Sequence, residues 1–232
     1  MTVDTGTTLG QLVNSSPRAA RVLESAGLDY CCGGQRALSD ACAEKGIDPQ
    51  DVLDRLAEVD DGGVVEWAGL GTVELVDHIE STHHRYLHEE LPRLVALAEK
   101  VATVHGERHP ELVVLAEDVK ELRDELEPHM MKEERVLFPL IRALDDPAAG
   151  APAMDPAGPI SVMMAEHDAA GALLERIRAR TGDFVVPADA CASYAALYQG
   201  LEAVEGDTHI HVHKENNVLF PAVLDQTAEP VS

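Results

Sequence analysis

Two stretches of this chain carry metal-ligating residue types at a spacing a helix can use. HMMKEERVLFPLI runs from His129 to Ile141, and HVHKENNVLFPAV from His211 to Val223. Both read H-x-x-K-E-x-x-V-L-F-P, offset by 82 positions. In each, a histidine precedes a glutamate by four residues. On a helix that spacing puts imidazole and carboxylate on one face, about one turn apart. Such a pair holds half a metal site in many helical bundles.

The repeat extends beyond the motif. His84 precedes His129 by 45 residues, and His167 precedes His211 by 44. Each half therefore reads as a helix with one inward histidine, a turn, and a helix with H-x-x-x-E. A single such pair is ordinarily a surface ion pair, but two copies in matched hairpins point to one shared centre. The candidate ligands are His84, His129, Glu133, His167, His211 and Glu215, with each glutamate placed to bridge two metals. Four imidazoles and two carboxylates without thiolate suit iron or manganese better than structural zinc. Positions left unfilled would take oxo, water or a small gas. His88 lies one turn beyond His84 and competes with it. His209 and His213 form another i, i+4 pair, but the repeat register and Glu215 favour His211. Glu125, one turn before His129 on the expected inner face, and Glu166, next to His167, are candidates for holding ligands or carrying protons.

Four long helices must position these residues. The apolar spacing predicts helices over 72–104, 110–144, 160–180 and 188–224. The expected inner face includes Leu122, Leu126, Val136 and Leu140 in the second, Met163 and Met164 in the third, and Leu201, Val204, Val218 and Leu219 in the fourth. Met130 and Met131 read as core filler. Pro92, Pro128 and Pro139 fall inside the first two helices and predict local bends. The Pro-, Gly- and Ala-rich run 145–159 reads as the loop between halves. Two similar hairpins give an all-α, antiparallel four-helix bundle over residues 72–226.

Residues 1–63 read as a separate small helical domain ending in the linker Asp60–Gly63. Gly27 and Gly46 end helices there as left-handed caps. Ser15 or Ser16 is expected to cap the helix after Pro17, and Asp48 the one that starts at Pro49. Between them lies LDYCCGG, Leu28 to Gly34, whose glycines allow a tight turn that presents Cys31 and Cys32. A unit of about 60 residues has a marginal core, so it needs the larger unit, a partner or a second copy of the chain.

The composition bounds the partners. The 232 residues carry 42 acidic and 18 basic side chains, a formal charge of −24. That surface repels phosphate backbones and anionic membranes, which argues against nucleic-acid and membrane partners. No apolar run approaches the roughly 20 residues of a spanning helix. The N-terminus lacks the pattern of a signal peptide, which predicts a cytoplasmic protein. Cys31, Cys32, Cys42 and Cys191 are then expected as thiols rather than disulfides.

LDYCCGG, MMKEE-x-x-LFP, GPISVM-x-x-EH (Gly158 to His167) and ENNVLFP together resemble the YtfE/ScdA family of iron–sulfur cluster repair proteins, across residues 8–224. The resemblance implies a hemerythrin-like bundle with two non-haem iron ions, oxo- and carboxylate-bridged, on the six ligands above. It implies a cysteine pair at Cys31 and Cys32, and acids near the metals at Glu125 and Glu166. It further implies damaged iron–sulfur proteins as partners, with nitric oxide or O2 as small ligands. Two chemistries stay open under it: reductive coupling of nitric oxide, and donation of labile iron. A hemerythrin-like module that only binds or senses O2, nitric oxide or iron is the alternative.

Overall fold

The computed structural model describes residues 3–58, 67, 69–146, 148 and 154–228. The expected linker Asp60–Gly63 lies outside the described residues, as does much of the expected loop 145–159. The helices, in order, are α1 Leu9–Ser15, α2 Ala19–Ser25, α3 Leu38–Lys45, α4 Pro49–Ala57, α5 Thr72–Ile79, α6 Arg85–His105, α7 Glu111–Lys132, α8 Phe138–Leu144, α9 Ala157–Arg180, α10 Ala192–Lys214 and α11 Phe220–Ala228. Among the described residues there is no strand, only an isolated bridge between Thr8 and Ala37. Contacts divide the chain into two units. One comprises Met1–Val76 with His209–Ser232, and the other Asp77–Thr208.

The first unit shows local signals at its helix ends. Asp48 caps α4 by accepting the Gln50 N–H at 2.9 Å, with Pro49 at the first position. Gly27 and Gly46 adopt positive φ, 65° and 69°, after α2 and α3. The expected serine cap of α2 is absent. Its N-cap is Arg18, whose side chain makes no capping hydrogen bond, and Ser15 instead donates to the Gln11 carbonyl inside α1. The α1 cap is Thr8, in a reciprocal capping box with Gln11. Leu9, Leu12, Leu23, Leu38 and Cys42 build the core, and Val212 of α10 joins the same cluster. The last turns of α10 thus enlarge a core that the N-terminal helices alone would leave small.

The long helices differ from expectation at three π-helical turns, Glu80–His84, Glu133–Leu137 and Glu215–Leu219. In the two repeats the reason is the phrase L-F-P. Pro139 has no N–H to give the Arg135 carbonyl, and its ring crowds that carbonyl. A wider turn relieves this: the Phe138 N–H donates to the Glu133 carbonyl, five residues back. The Phe220 N–H does the same to Glu215. Each repeated glutamate therefore opens a π turn, a local form frequent at functional sites. The extra residue also rotates the helix beyond it. Leu137 and Phe138 are buried while Val136 is exposed, which corrects Val136 as an inner-face residue. Val218 is only half-buried, between the buried Glu215 and Leu219. Met131 and Met164 are likewise exposed, whereas Met130 and Met163 are buried.

In the second unit α6, α7, α9 and the first turns of α10 share one core. Leu87, Leu94, Leu115, Leu122, Leu174 and Leu201 are among its members. Polar clamps tie the helices. The buried Asp118 of α7 accepts from Arg176 at 3.2 Å and from Arg180, both on α9. Glu205 of α10, also buried, accepts from Arg178 Nε at 2.9 Å. Asp118→Ala is expected to cost about 1.5–3 kcal/mol, the range for hydrogen bonds to charged groups. Urea unfolding with an unchanged denaturant slope checks this. A loss below about 0.5 kcal/mol would show that the clamp is a surface pair in energetic terms.

Candidate metal centre

Within the second unit four of the expected ligands come together. Glu133, the first residue of its π turn, is fully buried, and His84, His129 and His167 are nearly so. His84 Nε2 lies 3.4 Å and His129 Nε2 3.3 Å from Glu133 Oε2. His167 Nε2 is 3.1 Å from His129 Nε2. The ligand atoms of His129, Glu133 and His167 all lie within 4.8 Å of one another. Phe138 stacks on the His84 ring at 5.4 Å, so the L-F-P phrase also fixes the orientation of that imidazole.

Neither oxygen of Glu133 accepts a hydrogen bond among the described residues. A buried carboxylate left this way costs several kcal/mol unless a cation compensates it. Two imidazoles directing Nε2 toward one such carboxylate, with a third imidazole beside them, are a donor set that a metal ion fits.

The imidazoles are held from behind. Glu134 Oε1 meets His84 Nδ1 at 3.0 Å, and Glu166 Oε2 meets His129 Nδ1 at 3.0 Å. A carboxylate on Nδ1 fixes the tautomer and leaves the Nε2 lone pair for a metal. Burial alone would raise both carboxyls. Hydrogen bonds from His88 and His84 outweigh it at Glu134, and those from Lys132 and His129 at Glu166, so both sit below the ordinary carboxylate value. They are anionic at neutral pH. Glu166 is thus where the sequence suggested, but Glu125 is not. Glu125 is exposed on α7, because the buried stripe runs Leu115, Val119, Leu122, Leu126, His129, Glu133 in steps of three and four and passes beside it. Glu134 was missed by sequence reasoning. Its signal was the doubled acid after Lys132, which the second repeat lacks.

His88 does not displace His84. It is partly exposed and bonds Glu134 through Nε2 at 3.1 Å. His83 turns to Asp207 at 2.9 Å.

In the first unit His211 Nε2 meets Glu215 Oε1 at 3.0 Å, both side chains buried. The residues beside this pair hold the cysteine loop. Asn217 Nδ2 donates to the carbonyls of Cys31 at 2.9 Å and Tyr30 at 3.2 Å, and Asn216 donates to Cys31 at 3.4 Å. His213 meets the Tyr30 carbonyl at 3.3 Å and Asn14 at 2.9 Å. Burial pushes His213 down to about 4, so it is neutral at pH 7. Inside the loop, Asp29 accepts the N–H groups of Cys31, Cys32 and Gly33 at 2.9–3.0 Å. Cys31 is buried and Cys32 half-buried, with the sulfurs 3.9 Å apart. Hydrogen bonding to Cys32, then burial, pushes the Cys31 thiol well above its ordinary value. Asp29, Cys31 and Cys32 also place three ligand atoms within 4.8 Å. The ENN of the second repeat, in place of EER in the first, is therefore a docking signal.

Helices carrying paired histidine and glutamate around a buried carboxylate define a cation-binding bundle. The family model "Hemerythrin HHE cation binding domain" matches residues 75–223. A second model, ScdA_N, described as a domain of unknown function, matches residues 5–60. The chain is accordingly all-α, a hemerythrin-like four-helix bundle with a small N-terminal helical domain. The iron-sulfur cluster repair protein YtfE of Escherichia coli O8 (strain IAI1) is 39% identical over 93% of this chain and 96% of its own. That of Enterobacter sp. (strain 638) is 40% identical, and that of Shigella boydii serotype 4 (strain Sb227) 39%, with the same coverage. The chain belongs to the family of these YtfE proteins. Among the described residues no helix is long and apolar enough to cross a membrane.

Proposed function

We propose that this chain repairs iron–sulfur clusters damaged by oxidative or nitrosative stress, through a non-haem di-iron centre. The observation that carries the metal centre is Glu133, a buried carboxylate with no hydrogen bond among the described residues and the Nε2 atoms of His84 and His129 turned toward it. His84, His129, Glu133 and His167 supply one part of the ligand set. The repeat register assigns His211 and Glu215 as the rest. Bound iron would supply open coordination positions and a reversible one-electron couple. The protein's own groups do the remainder. Glu134 and Glu166 hold His84 and His129 with Nε2 free, and their anionic charge favours a cation beside them. Phe138 covers one face of His84 and keeps water from it. The Asp29 loop presents Cys31 and Cys32 as soft ligands that a client's iron could reach.

The relatives' name supports repair over simple carriage, and the cysteine loop, which a gas carrier would not need, points the same way. The reading includes a domain boundary between residues 63 and 72, damaged iron–sulfur proteins as partners, and the reducing cytoplasm as the compartment in which free thiols persist.

The test uses the full chain loaded with ferrous iron and a [4Fe–4S] protein damaged by nitric oxide. Recovery of the client's cluster absorbance, absent with iron salt alone, is the expected result. Reversible oxygenation without recovery would replace repair by carriage or sensing. Assaying nitrous oxide under excess nitric oxide separates the two chemistries, since only reductive coupling releases that gas.

A further inference from the structure

Far from the metal ligands, the second unit holds a thiol paired with a buried imidazole. His105 ends α6 and Cys191 directly precedes α10. His105 Nε2 lies 3.1 Å from Cys191 Sγ. Twenty-one residues of α6 separate His105 from His84, about 30 Å along the helix axis. Cys191 is exposed, whereas His105 is 95% buried. Tyr194 packs on the imidazole, with ring centroids 5.5 Å apart, and fixes its aim.

The other nitrogen, His105 Nδ1, is buried and has no hydrogen-bond partner among the described residues. The ring's one such partner there is therefore the thiol. A histidine serving only as core filler would leave Nδ1 unsatisfied at a cost that an apolar side chain would avoid. Beside the thiol, His109 bridges Asp189 and Glu111, at 3.1 Å each, and also packs on Tyr194. This network braces the segment that carries Cys191.

We propose that Cys191 and His105 form a nucleophilic thiol site that takes low-molecular-weight disulfides by thiol–disulfide exchange. The Cys191 proton moves to His105 Nε2, and the sulfur attacks one sulfur of the disulfide. The S–S bond breaks, a new bond joins Cys191 to the attacked sulfur, and the leaving thiolate takes the proton from Nε2. Cys191 is oxidised and half of the disulfide is reduced. No electrons or protons are left over. Residues 77–208 contain no other cysteine, so no thiol of this unit resolves the mixed disulfide and it persists until an external thiol removes it.

The test treats reduced full-length protein with the neutral bis(2-hydroxyethyl) disulfide, quenches in acid and follows each cysteine by peptide mass spectrometry. Cys191 should form its adduct roughly tenfold faster than the same cysteine in a synthetic peptide of residues 186–196, which lacks His105. His105→Gln should remove most of that advantage while leaving the Cys32 rate unchanged. A native rate no faster than the peptide's, or an unaltered rate in a folded His105→Gln protein, would overturn the proposal. Should His105→Gln fail to fold, the peptide comparison decides alone, since it needs no variant.

Discussion

Glu133→Leu is expected to abolish iron binding and, in the metal-free chain, to raise the unfolding midpoint. The two effects have one cause. Glu133 is fully buried, and neither carboxylate oxygen accepts a hydrogen bond among the described residues. Without a cation the buried carboxyl has no hydrogen bond to offset its desolvation, so a leucine of similar volume removes a penalty and should stabilise the apo chain by about 1–3 kcal/mol. With a cation the same carboxylate is a ligand, and its loss removes the anion that neutralises the site. Glu133→Gln keeps the shape and should also lose iron, with a smaller apo gain because the amide remains polar. Iron quantification with calorimetry of both forms checks this. If the leucine variant is less stable than the parent when both are metal-free, Glu133 is a structural group rather than a ligand.

Gly34→Ala is expected to release the cysteine loop from the end of the chain that holds it. A Cβ at this position would lie 2.5 Å from the Tyr30 carbonyl oxygen and 2.6 Å from Asn217 Nδ2. The first neighbour is backbone and cannot yield cheaply. The second is the group that donates to both Tyr30 and Cys31. Accommodating the methyl breaks those bonds, with an overpacking cost of about 1–3 kcal/mol. Alkylation of Cys31, slow while the thiol is buried and pushed up, should accelerate several-fold. The pair His84 and Glu133 belongs to the other unit, so iron binding should survive better than in Glu133→Leu. Asn217→Ala should loosen the loop less, because it removes donors without adding a clash. Unchanged Cys31 reactivity in Gly34→Ala would show that the loop is not held by this contact.

The difference between the two glutamates at 125 and 134 shows where one-dimensional reasoning stops. A four-residue step places Glu125 near His129 on an ideal helix. The packed stripe of α7 is narrower than that, and it leaves Glu125 in water. Glu134 comes directly after the buried Glu133 and so points away from its own inner face. It finds His84 only because another helix brings that imidazole to it. No spacing rule within one helix contains that partner.

The spacing of histidines and glutamates, and the repeat of whole hairpins, suffice to name a helical bundle and a histidine-and-carboxylate centre. They suffice because an α-helix converts sequence separation into direction. The Asp48 cap, the glycine stops and the turn-forming CCGG were legible for the same local reason. Tertiary structure decided the rest. Packing of α6 against α7 set His84, rather than His88, beside Glu133 and brought Glu134 to both imidazoles. The last turns of α10 completed the small N-terminal core with Val212, and Asn217 tied down the cysteine loop from 186 residues away. The π turns lie between these cases. Their cause, a proline that cannot donate, is written in each repeat. Their consequence, which residues end up beneath the surface, is settled only when the widened turn is packed against its neighbours.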